Sequence, residues 1–330
     1  MIGYYAHKIA NTLLTKFVSP LASTQTGPGL LAGSIGDFRF DRRFVFYFAD
    51  SRLVHLGDQL FHQPLIELWR SGYELNVAVS GPFAPYFTSQ GVRVISPDEY
   101  QSVAGAVIIT KNDLAYDVAH RFPSGNYFVG VNYHLVQDPG PICYALARTV
   151  YDALTPLALD LPDLPGESSG VFTPYVPDGL IAEMREEKWV ESITSDSGSK
   201  YLVYNDFVSS NHFAATRRMS VIAELARRRK AEGYKIVYTG SREEARKRPR
   251  PPDFVDVDLR GAFGPIGLYK LFSLDNVAGV ISFDTFVMHV ASAFRKDLYI
   301  VRKSVDYPAG YRRKYVPMYP GCDAIVKAYE

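Results

Sequence analysis

Apolar residues fall along this chain in two rhythms. Near the start, Ile2, Tyr5, Ile9, Leu13 and Phe17 recur at helical spacing, with His7, Lys8 and Lys16 between them. That pattern predicts an amphipathic helix, docked either on its own domain or on a membrane surface. The Ser/Thr/Gly/Pro-rich stretch 19–36 reads as loop, so residues 1–43 form an extension. From Phe44 onward, short apolar runs alternate with segments of helical period. Strands are predicted over 44–49, 75–79, 92–95, 106–109 and 127–131. Helices are predicted over 58–71, closed by Gly72, and over 142–154.

A Pro-rich stretch at 161–178 then interrupts the pattern and suits a stiff linker. Beyond it the alternation restarts. Helices are expected over 179–192, 214–232, from Ser241, over 266–274 and over 285–294. Strands are expected over 201–204, 235–238, 254–257, 277–281 and 298–301. Strands separated by helices imply parallel, doubly wound sheets. The expected organisation is therefore two Rossmann-like α/β domains, 44–160 and 179–310, facing each other across a cleft. Residues 311–330 form a tail, helical toward its end, that packs back on the first domain.

Composition narrows the function classes. The 330 residues exceed what one core usually serves, and 47% hydrophobic with 22% charged residues is ordinary for a globular protein. With 36 basic and 35 acidic side chains the net charge is +1, so no global field draws the chain to nucleic acid. The basic runs 227–230 and 242–250 are read as solvating helix ends and a loop. Two cysteines, 143 and 322, lack metal-ligand spacing and fit a reducing, cytoplasmic compartment. No apolar run reaches the length of a membrane span. Aromatic residues make up 14%, which suits a sugar-binding cleft or an ordinary core. There is no P-loop, no GxGxxG after the first strand and no nucleophile elbow. Neither a metal nor a cofactor is expected.

The candidate chemistry lies just after predicted strands. In the segment Ser282-Phe283-Asp284-Thr285-Phe286-Val287-Met288-His289 a strand turns into a helix. A helix N-terminus there offers unpaired N–H groups and the positive end of the macrodipole to a phosphate. Asp284 and Thr285 are equally good as plain caps. In the first domain, Gly57 permits a tight turn and Asp58 opens a helix, as a cap or as a general base. Asp50 is the rival carboxylate, and His62 shares a helix face with Asp58, on the acceptor side or in the core. Ser209, Ser210 and Arg217 follow another strand and are candidates for holding phosphate. Glu243 and Glu244 are candidates for ribose hydroxyls, and Arg302 for the diphosphate charge.

Together these segments resemble the ADP-heptose:lipopolysaccharide heptosyltransferases, glycosyltransferase family 9, of GT-B fold. Gly57-Asp58 through Pro64-Leu65 matches the family's first motif, and Asp284-Thr285 through His289-Val290-Ala291-Ser292 matches its second. Asp258-Leu259-Arg260-Gly261 and the apolar segment 268–274 look like the Asp-Leu-x-Gly and helix that precede it. The resemblance runs from about residue 44 to 302. It implies an inverting, metal-independent enzyme that moves a sugar, plausibly heptose from ADP-heptose, to a bacterial surface glycan such as lipopolysaccharide. It makes Asp58 the base and puts the donor diphosphate on Asp284, Thr285 and the backbone after them, with His289 nearby. Two departures stand out. The family's Gly-Pro is Phe286-Val287 here, and its lysine has no clear match near Asn211, Arg217 and Arg218. A UDP- or GDP-sugar donor, or a non-catalytic scaffold that binds sugar or nucleotide, are the alternative readings. The expected partners are a nucleotide-sugar donor and a glycan or glycolipid acceptor, with no nucleic acid. Residues 1–18 are a candidate contact with the inner face of the membrane.

Overall fold

The computed structural model describes residues 24–27, 30–49, 54–79, 81–131, 141–184, 187–196, 198–207, 215–283, 285–301 and 326–329. The chain divides into two compact units, Met1–Thr173 with Pro308–Arg313, and Pro174–Tyr307 with Lys314–Glu330.

The first unit begins with β1 (Thr24–Gly27) and β2 (Leu30–Ile35), paired antiparallel. Next come β3 (Arg43–Phe48), helices α1 (Leu56–Leu60) and α2 (Gln63–Trp69), and β4 (Glu74–Val79). Helix α3 (Ala84–Thr88), β5 (Arg93–Val94), β6 (Ala106–Lys111), α4 (Ala115–Arg121), β7 (Asn126–Val131) and α5 (Ile142–Leu154) complete it. The seven strands lie in the order β1-β2-β7-β6-β3-β4-β5. Strands β3 to β7 are mutually parallel, and β2 runs antiparallel to β7. Helices covering both faces explain why the runs Phe44 to Phe48 of β3 and Ala106 to Ile109 of β6 are buried without a break rather than alternating. On one face Phe44 stacks on Trp69 with ring centroids 4.0 Å apart, and the Trp69 indole N–H donates to the Tyr151 hydroxyl at 3.0 Å.

The second unit contains α6 (Asp178–Glu183), α7 (Lys188–Thr194), β8 (Tyr201–Asn205), α8 (Ala215–Ala231), β9 (Lys235–Tyr238) and α9 (Arg242–Lys247). It continues with β10 (Val257–Asp258), α10 (Pro265–Phe272), β11 (Val277–Ser282), α11 (Phe286–Ala293), β12 (Asp297–Val301) and β13 (Val326–Tyr329). Its six strands are all parallel, in the order β10-β9-β8-β11-β12-β13. Ile222, Leu225 and Ala226 of α8 close a core over Leu202, Ile236 and Ile281.

Several elements depart from the sequence reading. The stretch 19–36, read as loop, holds β1 and β2, and β2 completes the sheet against β7 with Leu30↔Val131 through Ile35↔Asn126 in register. The end of the tail, read as helical, instead contributes β13 to the second sheet beside β12, Leu298↔Val326 through Val301↔Tyr329, and the rest of 311–330 lies outside the described residues. The helix expected over 58–71 is two helices. Pro64 lacks an N–H and its ring clashes with the Leu60 carbonyl, so the helix breaks at Phe61-His62. The helix expected over 179–192 divides into α6 and α7. Among the described residues no helix is long and apolar enough to cross a membrane.

Each sheet has one place where the strand order reverses. In the first sheet it lies between β3 and β6, and in the second between β8 and β11. Loops leaving the carboxyl ends of such a pair part to opposite faces and open a crevice for a ligand.

Candidate functional site

At the second of these places, Ser282 closes β11 in register with Asn205, which closes β8. The backbone then turns into α11 with Thr285 as the N-cap residue, at φ −144° and ψ 169°. The Thr285 carbonyl accepts from the N–H groups of Met288 at 3.0 Å and His289 at 3.4 Å. Its hydroxyl does not cap the helix, and Oγ1 is buried with no hydrogen-bond partner among the described residues. Such an atom carries a desolvation cost that a ligand oxygen would relieve. The positive end of the helix and an unsatisfied hydroxyl therefore coincide at the crevice. Phe286 takes the first helical position, half-buried, and Val287 behind it is buried.

His289 is 5% exposed, and burial lowers its pKa to about 4. At neutral pH it is an uncharged support beneath the turn, so it cannot neutralise a diphosphate as a cation. Asp284, Ser209, Ser210 and Arg302 lie outside the described residues, as does the side chain of Arg217, whose backbone is in the first turn of α8.

Glu243 and Glu244 do not stand free for a ribose. Glu243 is exposed and paired with Lys247 at 2.6 Å, one helical turn on. Glu244 accepts from the Ser241 N–H while the Ser241 hydroxyl accepts from the Glu244 N–H, a capping box that starts α9. Both glutamates thus sit in the capped first turn of α9.

Beside them stands a cluster that the sequence reading missed. Asp206, one residue past β8 and 4% exposed, accepts from the hydroxyls of Tyr204 at 3.2 Å and Tyr238 at 2.8 Å and from Arg248 Nη1 at 2.7 Å. Burial, with Asp206 beside them, pushes both phenols above the usual tyrosine range and keeps them protonated donors. Asn205 Nδ2 donates to the Thr239 carbonyl at 3.1 Å and so ties the ends of β8 and β9 together. Arg248 belongs to the basic run read as solvated, and its acidic partner is 42 residues away. A lone Asp after a strand was the only signal in sequence. Asp256-Val257-Asp258 is an Asp-x-Asp pattern, but its carboxylates pair with Lys230 and Arg260, each at 2.7 Å.

At the first unit's crevice, β3 ends at Phe48 and β6 at the buried Lys111. Asp58 is the third residue of α1, not its first, because His55 is the N-cap. Asp58 Oδ2 accepts from the His55 N–H at 3.1 Å, while Oδ1 has no partner among the described residues. The carboxylate is thus held by one oxygen and open at the other. Gly57 lies inside α1 without a positive φ, so it is not the tight-turn glycine expected. His62 belongs to the core and not to an acceptor surface. It is 0% exposed, lies edge-on to Phe46, and its Nδ1–H donates to the Asp58 carbonyl at 3.1 Å. Burial lowers its pKa to about 4. Asp50 lies outside the described residues.

No protein-family model matches the sequence, and no curated protein matches it. Solved structures do. The chain is similar to the glycosyl transferase family 9 protein from Veillonella parvula DSM 2008, with 14% identity over 89% of this chain and 90% of that one, at a TM-score of 0.56. It is also similar to the E. coli ADP-heptose lps heptosyltransferase II, with 15% identity over 87% of this chain and 90% of that one, at a TM-score of 0.55. Identities this low establish likeness of architecture. The chain has the fold of these glycosyltransferases, the GT-B class built from two doubly wound α/β units.

Proposed function

We propose that this chain is an inverting, metal-independent glycosyltransferase. Its second unit holds a nucleotide-sugar donor, and its first unit brings the acceptor hydroxyl. The observation that carries the reading is the buried Thr285 hydroxyl at the start of α11, without a partner among the described residues, at the point of the second sheet where a phosphate is best received. The shared fold supports it, because one neighbour's name includes ADP-heptose. An ADP-sugar, plausibly ADP-heptose, is therefore the first donor to test and a bacterial surface glycan the first acceptor.

In this reading Asp58 Oδ1 takes the proton of the acceptor hydroxyl, while Oδ2 stays on the His55 N–H and fixes the carboxylate. The acceptor oxygen forms a bond to the anomeric carbon as the bond from that carbon to the β-phosphate oxygen breaks. Attack from the face opposite the leaving group inverts the centre, through an oxocarbenium-like transition state. The charge that grows on the departing diphosphate meets the first-turn N–H groups of α11 and the Thr285 hydroxyl.

Thermal denaturation with ADP, GDP, UDP and CDP tests the donor site. A ligand at a hundred times its Kd adds about 2.7 kcal/mol, so one nucleotide should raise the melting temperature well beyond the others. No rise with any of them would overturn the reading. A UDP- or GDP-selective shift would keep the transferase and change the donor. A second reading, a binding scaffold without turnover, has its own observation in the half-buried Phe286 where the family motif has glycine. Tight nucleotide binding without release of nucleoside diphosphate from any donor would favour it.

A further inference from the structure

Arg248 is a half-exposed arginine held far more firmly than its position requires. Its side chain is 44% exposed, yet Nη1 donates to the buried Asp206, which also accepts from the Tyr238 hydroxyl. Its guanidinium lies over the Phe207 ring, 5.0 Å from the centroid. Its carbonyl accepts from Arg260, whose own side chain is 1% exposed, pinned to Asp258 and stacked over Tyr238 at 4.4 Å. Phe207 in turn lies parallel to Tyr238, with an interplanar angle of 4°. Its Cε2 occupies the space over Gly240, 2.8 Å from where a Cβ would stand. Carboxylate and ring thus fix the guanidinium, and the carbonyl anchor fixes the backbone that carries it.

A guanidinium carries five N–H donors in a rigid fork. Asp206 engages one side of it, and the other side has no acceptor among the described residues. An arginine recruited only to neutralise Asp206 is an expensive solution. An asparagine in place of Asp206 would accept from one tyrosine and donate to the other with no buried charge to balance, and a buried ion pair is seldom a net stabiliser.

The position is as telling as the anchoring. Asp206 follows Asn205, which is in register with Ser282, and Thr285 is three residues beyond Ser282. Neighbouring strands are about 4.8 Å apart. Asp206, the anchor of Arg248, therefore leaves the sheet one strand across from the strand that leads into α11, at the same crevice.

We propose that Arg248 is a donor-binding residue that hydrogen-bonds the diphosphate of the nucleotide sugar, with Asp206, Phe207 and Arg260 as the residues that position it. This rests on the nucleotide-sugar reading and names the cation of that site. It supplies the fixed positive charge for which the motif's lysine has no clear match.

The test is calorimetric titration of the full chain with the nucleoside diphosphate selected by the thermal panel, with inorganic pyrophosphate and with the parent nucleoside. The double substitution D206N/R248Q removes the fork and the buried charge together, while the new amide can accept from one tyrosine hydroxyl through its oxygen and donate to the other through its N–H. We expect it to weaken the diphosphate and pyrophosphate at least ten-fold and to leave nucleoside binding unchanged. Wild-type affinity for pyrophosphate in D206N/R248Q would overturn the inference and leave the transferase reading standing. Failure of the wild type to bind any nucleoside diphosphate or pyrophosphate would overturn both. Should the double variant not fold, R248K keeps a charge on Asp206 but loses the fork. It should weaken pyrophosphate several-fold, and unchanged affinity there would equally overturn the inference.

Discussion

A buried hydroxyl with no partner costs the folded chain roughly 1–3 kcal/mol, and among the described residues the Thr285 hydroxyl has none at the start of α11. Thr285→Val keeps the branched shape and removes only that group. Its melting temperature should be unchanged or higher, while nucleoside diphosphate affinity falls about five- to ten-fold, the worth of one hydrogen bond. Calorimetry against denaturation separates the two effects, and an unchanged affinity would remove Thr285 from the site. Asp58→Asn offers the complementary experiment. An amide oxygen can still accept from the His55 N–H, so the helix start survives, but an amide cannot take a proton. Turnover, read as nucleoside diphosphate release, should drop about 10²- to 10⁴-fold, with nucleotide affinity retained. Equal turnover would make Asp58 a cap and nothing more.

At the scale of elements, β11 depends on a glycine. A Cβ at Gly279 would lie 2.4 Å from the Asp297 carbonyl oxygen, where β11 runs beside β12 past a shift in its pairing with β8. Gly279→Ala should destabilise the second unit by about 1–3 kcal/mol, seen as a lower urea midpoint, and a wild-type midpoint would refute the crowding. Much at this scale was readable in the sequence. Runs such as Phe44 to Phe48 and Ala106 to Ile109 are continuously apolar because helices cover both faces of their sheets, and length separates them from helices. β2 escaped notice because Gly33 and Ser34 dilute its apolar positions within a Ser/Thr/Gly-rich stretch. β13 has four residues, too few to reveal a period. The strand–turn–helix at Thr285 announced itself because its parts are contiguous. The Asp206–Arg248 pair did not, because pairs distant in sequence leave no spacing to read and a basic run hides its one anchored member.

For the whole molecule, each unit carries one deeply buried neutral histidine among the described residues, His62 in the first and His289 in the second. Their folded pKa values, about 4, lie below the unfolded value near 6.5. Above pH 6.5 neither state takes up a proton at these sites and stability is full. Between pH 6.5 and 4 the unfolded chain binds protons that the folded chain excludes, so stability falls with pH, by on the order of 3 kcal/mol per histidine at the lower end. Urea melts at pH 7.5, 6 and 5 should show this decline. His62→Gln and His289→Gln should each flatten it, and a slope unaltered by both would show that other groups govern acid unfolding.

β13 also bears on how the protein is made. The second sheet starts at residue 201, and its last strand is 326–329, alongside β12. During synthesis the first unit's seven strands have all left the ribosome by residue 131, whereas β12 waits with an open hydrogen-bonding edge until residue 329 has emerged. An unpaired parallel edge is a template for the wrong strand. A stall or truncation ahead of β13 would therefore leave a first unit with its sheet complete joined to a second unit prone to aggregate.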